Sequence, residues 1–326
     1  METSKLITYI LFIPGFFVLI KGASLLVDGA SSLARKFRIS DLVIGLTIVS
    51  MGTSSPELAV NILSSIRGQD DIAISNVLGS NIANILLILG ISAIIKELTV
   101  RESTVWKEIP FSLLGSLVVM VMANDVFFDS TQRNQLSHND GIIILFFFTI
   151  FLYYIFSIAK KGEIFEEEVP KKELSLWMSI IYVVVGLVML VLGGDWVVNG
   201  AVEIAKFVGL SEAFIGLTIV AVGTSLPELA ATGVAAYKGN SDIAVGNVVG
   251  SNIFNVFFIL GVSATLSPLR FTEENNIDVL VSVLSSLILF FLLFLGKRHT
   301  IQRIQGIVLL SFYIAYIGFR AYIGIR

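Results

Sequence analysis

Two carboxylates stand where an apolar chain tolerates charge least. Glu57 closes the hexapeptide Gly52-Thr53-Ser54-Ser55-Pro56-Glu57, and Glu228 closes a near copy, Gly223-Thr224-Ser225-Leu226-Pro227-Glu228. Each lies near the middle of an apolar run. A charge at bilayer depth costs from about 2.5 to over 10 kcal/mol, so a residue kept there is a functional candidate by default. Thr53 and Glu57, four apart, project from nearly the same helical face, and so do Ser80 and Asn84 on the next run. Thr224/Glu228 and Ser251/Asn255 repeat both pairs. The donors are all oxygen: carboxylates, hydroxyls, amides and carbonyls freed by the prolines. Hard cations such as calcium take about six to eight oxygens, whereas softer metals want nitrogen or sulfur. The two formal negative charges match one divalent ion, and equally two or three monovalent ions or protons. If calcium and sodium compete for the same oxygens, exchange follows from mutual exclusion. An unloaded pair of carboxylates is unfavourable in a dry closed state, so the empty carrier should not flip easily.

The prolines dictate the local backbone. Pro56 has no amide hydrogen, so the carbonyl of Gly52 loses its helical partner, and the ring disfavours helix at Ser55. Pro227 does the same to Gly223. The expectation is a span broken at its centre, with carbonyls turned toward a cavity, the one place where non-helical backbone survives at that depth. Ser75-x-x-x-Gly79 and Gly246-x-x-x-Gly250 are small-residue spacings that let neighbouring helix backbones approach. The competing readings are structural: a proline can merely kink a helix, and Ser54, Ser225, Asn81 and Asn252 can bond their own backbone. Packing does not ask for Glu57 or Glu228. Lys21, Asp28, Asp195, Asn199 and Glu203 are expected near span ends as interfacial anchors.

The chain that carries these residues has 326 residues, 55% hydrophobic and only 14% charged. Soluble domains carry about 25% charged residues, so an all-α, many-span membrane protein is implied. A net charge of −3 without a long basic run argues against a nucleic-acid partner, and the lack of cysteine excludes disulfides and thiolate metal sites. His138 and His299 fall in polar stretches and are expected in loops. Ten apolar runs long enough to cross a bilayer lie near 6–27, 41–66, 72–95, 109–123, 141–160, 175–198, 212–237, 243–266, 277–295 and 303–323. The first has no A-x-A cleavage site after it and is taken as a span rather than a leader.

Shifting the sequence by 171 residues aligns Gly22–Ala93 with Gly193–Ala264 without a gap, and 30 of the 54 pairs from Ser40 onward are identical. Two five-span halves are expected, 1–160 and 175–326, joined by a linker at 161–174; the matching segments are 40–93 and 211–264. Because five is odd, the second half must enter the membrane from the opposite side. An inverted repeat with broken helices 2 and 7 points to a transporter with its site at the midplane. Connectors 1–2, 3–4, 5–6, 7–8 and 9–10 hold about 14 of the Lys and Arg, against about 7 on the other side, which places both termini outside. The linker, with Glu166–Glu168, is expected to be a solvated cytoplasmic segment; it is short and lacks the spaced ligands of a calcium loop.

The paired motifs resemble the α-repeats of the sodium/calcium exchanger family, within the calcium:cation antiporter superfamily. The first repeat reads Gly52–Glu57 with Asn76–Asn84 and the second Gly223–Glu228 with Gly246–Asn255, Ser75 standing where Gly is usual. The resemblance implies ten helices and four ion sites. It places ligands on Thr53, Ser54, Glu57 and Ser80, on Thr224, Ser225, Glu228 and Ser251, and on the carbonyls of Ser50 and Ala221. Asn84 and Asn255 hold a position that is Asp in some relatives, leaving two carboxylates rather than three and arguing against potassium co-transport. No large regulatory domain fits in the chain.

The function expected is a secondary antiporter in the cell membrane that exchanges Ca2+ for Na+ by alternating access, with no organic cofactor and a monomer sufficient. A proton/calcium exchanger of the same fold is the alternative, with protons loading Glu57 and Glu228. A channel would share the oxygens but lack obligatory exchange. An intramembrane protease is disfavoured, because it would need a membrane-embedded histidine or a pair of aspartates.

Overall fold

A computed structural model describes residues 2–128, 134–161, 174–208 and 221–324. The linker stretch 162–173, with Glu166–Glu168, and residues 212–220 of the expected seventh span lie outside the described residues. The rest is almost wholly helical, as a chain in lipid must be, since helices satisfy every backbone group internally. We number the helices α1 Glu2–Phe37, α2 Asp41–Thr53, α3 Ser55–Ile66, α4 Asp70–Ile95, α5 Thr104–Met122, α6 His138–Lys161, α7 Leu176–Phe207, α8 Leu226–Tyr237, α9 Ser241–Leu266, α10 Glu273–Leu292 and α11 Arg303–Gly324. Among the described residues, eight helices are long and apolar enough to cross a membrane, and α2 with α3 makes a ninth candidate span bent by 48°.

Local chemistry sets the ends of these helices. Ser40 caps α2 by accepting from the Val43 amide (3.2 Å), Asn240 caps α9 through Ile243 (3.0 Å), and Thr272 with Asn275 closes a capping box on α10. The tight turns α3–α4 and α8–α9 each pass through a glycine in the left-handed region, Gly68 at φ 66° and Gly239 at φ 79°. These two are one repeat length apart.

The bundle is layered. The apolar window of α9 is 94% buried and that of α4 72%, whereas α6 and α11 are each 22% buried and present their outer faces to lipid. The exposed large side chains of the outer helices, such as Ile13, Phe17, Tyr153 and Trp177, fit that placement. α1 and α7 run antiparallel with their backbones nearly touching. A methyl on Gly22 would sit 2.9 Å from the Gly186 carbonyl, and one on Gly193 would sit 2.6 Å from the Leu19 amide nitrogen. Gly15, Gly22 and Gly29 face Gly193, Gly186 and Ser179 in turn, a small-residue seam that dispersion between backbones can hold in lipid.

Each of two short ladders ties one half of the chain to the other. β1 Leu98–Thr99 pairs antiparallel with β4 Thr300–Ile301, and β2 Gln135–Leu136 with β3 Leu269–Arg270.

α1 and α7 are longer than the runs that announced them. Asp28, Asp195, Asn199 and Glu203 therefore lie within the helices and not at their ends. Lys21 is also interior to α1. His299 sits in a turn at φ 54°, as expected, whereas His138 is not in a loop but opens α6.

Candidate functional site

The break between α2 and α3 falls at Ser54, whose φ/ψ of −83°/8° departs from the helix before Pro56 enters at the first turn of α3. The second half reproduces it: Ser225 has φ/ψ of −88°/6° and Pro227 lies in the first turn of α8. The freed Gly52 carbonyl accepts from the Ser55 hydroxyl at 2.6 Å. Leu226 stands at the equivalent of Ser55 and has no hydroxyl to offer Gly223. α7 lies across both breaks, so a methyl on Gly52 would come within 2.5 Å of Leu187, and one on Gly223 within 2.5 Å of Val198.

These breaks turn both carboxylates inward. Glu57 and Glu228 are each 1% exposed, and they lie within Coulombic reach of each other. Ser54 Oγ donates to Glu228 Oε1 at 2.8 Å and lies 3.0 Å from Ser251 Oγ, joining the first break to the second carboxylate and to α9. Ser251 Oγ in turn lies 3.5 Å from the carbonyl of Ser50, which also accepts from Thr53 Oγ1 at 3.2 Å. Ser225 Oγ and Ser80 Oγ are 3.4 Å apart, the second-half break meeting α4 in the same way. Thr224 lines a cavity of about 200 Å³ together with Pro56 and Pro227. Ala221 begins the one-turn segment Ala221–Gly223 that leads into the break.

Several oxygens here have no hydrogen-bond donor among the described residues: both of Glu57, Glu228 Oε2, Asn84 Oδ1 and Asn255 Oδ1, all buried. A buried acceptor left unpaired costs about 1–3 kcal/mol, more when it is charged. The described residues place no Lys or Arg in an ion pair with either glutamate. They also hold no group of three or more His, Cys, Asp or Glu. An oxygen-rich, donor-poor centre with two negative charges fits a hard cation as cargo.

Around it runs a layer of amides that reading single residues did not resolve. Asn81 and Asn252 each donate to the other's backbone carbonyl at 3.2 Å. Asn84 Nδ2 donates to Asn252 Oδ1 at 2.9 Å, and Asn255 Nδ2 to Asn81 Oδ1 at 3.1 Å. These four side chains lock α4 to α9 and leave the oxygens of Asn84 and Asn255 free. Farther out, Asn76 donates to Asn61 at 2.6 Å and Asn247 to Thr232 at 2.9 Å, tying α4 to α3 and α9 to α8. Thr53 Oγ1 reaches Asn247 Oδ1 at 3.1 Å. The amides at 76 and 247 sit in equivalent places in the repeat, the one sequence signal that marks them as a pair.

Eight long apolar helices and one bent pair among the described residues, closed on a buried centre of oxygen ligands, have the make-up of an integral membrane transporter. The model of the sodium/calcium exchanger protein family matches residues 7–157 and 178–322, and the chain belongs to that family. It is 37% identical over 291 residues to inner membrane protein YrbG of Escherichia coli, covering 85% of this chain and 87% of that one. It is 32% identical over 350 residues to the sodium/calcium exchanger MaX1 of Methanosarcina acetivorans, covering 97% and 99%. A solved structure of the sodium-calcium exchanger NCX_Mj, soaked with Na+ and Sr2+, superposes with a TM-score of 0.80 at 33% identity, covering 98% of this chain and 99% of that one.

Proposed function

We propose that the chain exchanges Ca2+ for Na+ across the cell membrane by alternating access, and that Glu57 and Glu228 are the charged ligands of the shared site. One observation carries the reading: two buried carboxylates, close enough to repel, with no basic partner among the described residues and with oxygens that no donor reaches. Such a pair is stable only when something positive sits between its members, and either one divalent or several monovalent ions meet that need. The hydroxyls of Thr53, Ser54, Ser80, Thr224, Ser225 and Ser251 with the carbonyls of Ser50 and Ala221 complete the oxygen set. Asn84 and Asn255 each offer one amide oxygen.

The architecture behind this is two inverted five-span halves, 1–160 and 175–326, with linker 161–174 on the cytoplasmic side, both termini outside and helices 2 and 7 broken at Ser54 and Ser225. The equivalent φ/ψ at the two breaks, the reciprocal Asn81–Asn252 bonds and the paired cross-half ladders support it. The test is Ca2+ uptake into sealed proteoliposomes. A Na+ gradient should drive it, a pH gradient alone should not, and Glu57→Gln or Glu228→Gln should abolish it. Uptake driven only by a pH gradient would assign the coupling to protons, and full transport in either variant would remove the glutamates from the site.

A further inference from the structure

Asp195 is a charged residue that the centre described above does not use. α1 and α7 cross where the facing glycines place Leu19 beside Gly193 and Leu190 beside Gly22. Those two contacts are exchanged by the internal repeat, so on the inverted-repeat reading the crossing marks the middle of the membrane. Asp195 lies five residues beyond Leu190 on a continuous helix, about 7.5 Å along the axis. That is well inside a hydrocarbon layer about 30 Å thick, too deep for so short a side chain to reach the interface. Its side chain is exposed and has no hydrogen-bond or ion-pair partner among the described residues. It faces the cavity of about 200 Å³ lined by Pro56, Gly223, Thr224 and Pro227, the residues of both breaks.

The equivalent position in the first half is Ser24, and its surroundings differ. Ser24 Oγ accepts from Lys238 Nζ at 2.7 Å, and the same ammonium pairs with Asp28 at 2.7 Å. One flank of the centre thus has a neutral side chain covered by a cation; the other has a bare carboxylate at the wall of a cavity.

We propose that Asp195 is the entry residue for cations on the outer face, raising the local concentration of Ca2+ and Na+ in the cavity that leads to Thr224. This rests on the antiporter reading and adds a residue to it that is not a ligand of the central site. A fixed charge in a cleft with low-dielectric walls focuses field lines and speeds the arrival of counter-ions, an effect that salt screens. It acts on one face only.

The experiment is Ca2+ flux in oriented proteoliposomes, with KM measured separately from each face. Asp195→Asn should raise the outer-face KM for Ca2+ about 10-fold at low ionic strength and leave the maximal rate and the inner-face KM unchanged. Between about 0.01 M and 0.1 M choline chloride the Debye length falls from about 30 to about 10 Å, and the difference should shrink. Asp195→Glu should restore the low KM. Since the chain has no cysteine, Asp195→Cys can be modified after folding. A sulfonate-bearing thiol reagent should lower its outer KM, and a quaternary-ammonium reagent of similar size should raise it. Should Asp195→Asn fail to fold, the unmodified protein still decides: its KM must rise with ionic strength at the outer face and not at the inner. Equal shifts at both faces, the same response to both reagents, or no shift overturns the proposal. An unmodified protein that exchanges no Ca2+ overturns the antiporter reading instead.

Discussion

Ser54 shows how one small side chain joins the two halves of the site. Its hydroxyl donates to Glu228 at 2.8 Å and lies 3.0 Å from Ser251, while its backbone is the break that turns Glu57 inward. A hydrogen bond to a charged group contributes about 1.5–3 kcal/mol. Ser54→Ala should therefore weaken Ca2+ binding about 10- to 100-fold, and Ser54→Thr should recover much of it; isothermal titration in detergent measures both. Ser225, whose closest partner is Ser80 at 3.4 Å, should show a smaller loss on truncation. The glutamates were legible in the sequence because a carboxylate in an apolar run has no packing excuse. The roles of Asn81 and Asn252 were not. A lone amide in a helix can be satisfied by its own backbone, and only the fold shows Asn81 and Asn252 bonded to each other's carbonyls. Replacing Asn252 by Leu leaves the Asn81 carbonyl without its donor and Asn84 Nδ2 without its acceptor, both in a buried place. It should lower the melting temperature measurably and cost more than Asn139→Leu at the start of α6.

At the scale of helices, what decides function is how closely backbones approach. At Gly186 the α1–α7 seam offers no side chain that could give way, since a methyl there would lie 2.6 Å from the Leu26 amide nitrogen and 2.8 Å from the Gly22 carbonyl. Gly186→Ala should then destabilise by about 1–3 kcal/mol, with no rescue by truncating a neighbour. Gly52 differs, because its obstacle is the flexible end of Leu187 at 2.5 Å. Gly52→Ala should be largely rescued by Leu187→Ala, and a double-mutant cycle on thermal stability and Ca2+ uptake separates the two cases. Hydropathy announced the spans, and proline with glycine announced the breaks. The lengths of α1 and α7 were hidden, because their outer turns carry polar residues such as Asp28 and Glu203 that end an apolar run without ending a helix. The π-helical turns at Gly45–Val49, Asn84–Ile88 and Phe254–Leu260 were hidden as well. An i→i+5 bond has no residue signature, although such turns gather at functional sites and two of these take in Asn84 and Asn255.

For the molecule as a whole, the repeat makes its own asymmetry informative. Lys238 and Arg67 hold equivalent positions at the ends of α8 and α3. Lys238 reaches α1, pairing with Asp28 and with the hydroxyl and carbonyl of Ser24. Arg67 makes no corresponding ion pair with α7 among the described residues. If the two faces open in turn, the clamped face is the closed one. The clamp is partly exposed, with Lys238 at 28% and Asp28 at 50%, so it contributes no more than about 1 kcal/mol. That is too little to matter to folding but enough to shift a balanced two-state equilibrium about five-fold. On the proposed topology the clamp lies at the inner face, and Lys238→Ala should leave the melting temperature unchanged while making that face more accessible. Val27→Cys reports this directly, since Val27 is 2% exposed and lines the cavity of about 390 Å³ beside the clamp. Its labelling by a membrane-impermeant thiol reagent added from the inner side should speed up several-fold when Lys238 is removed, and slow again when Ca2+ on the outer face pulls the population back. Equal labelling rates with and without Lys238 would show that the ion pair only decorates the surface.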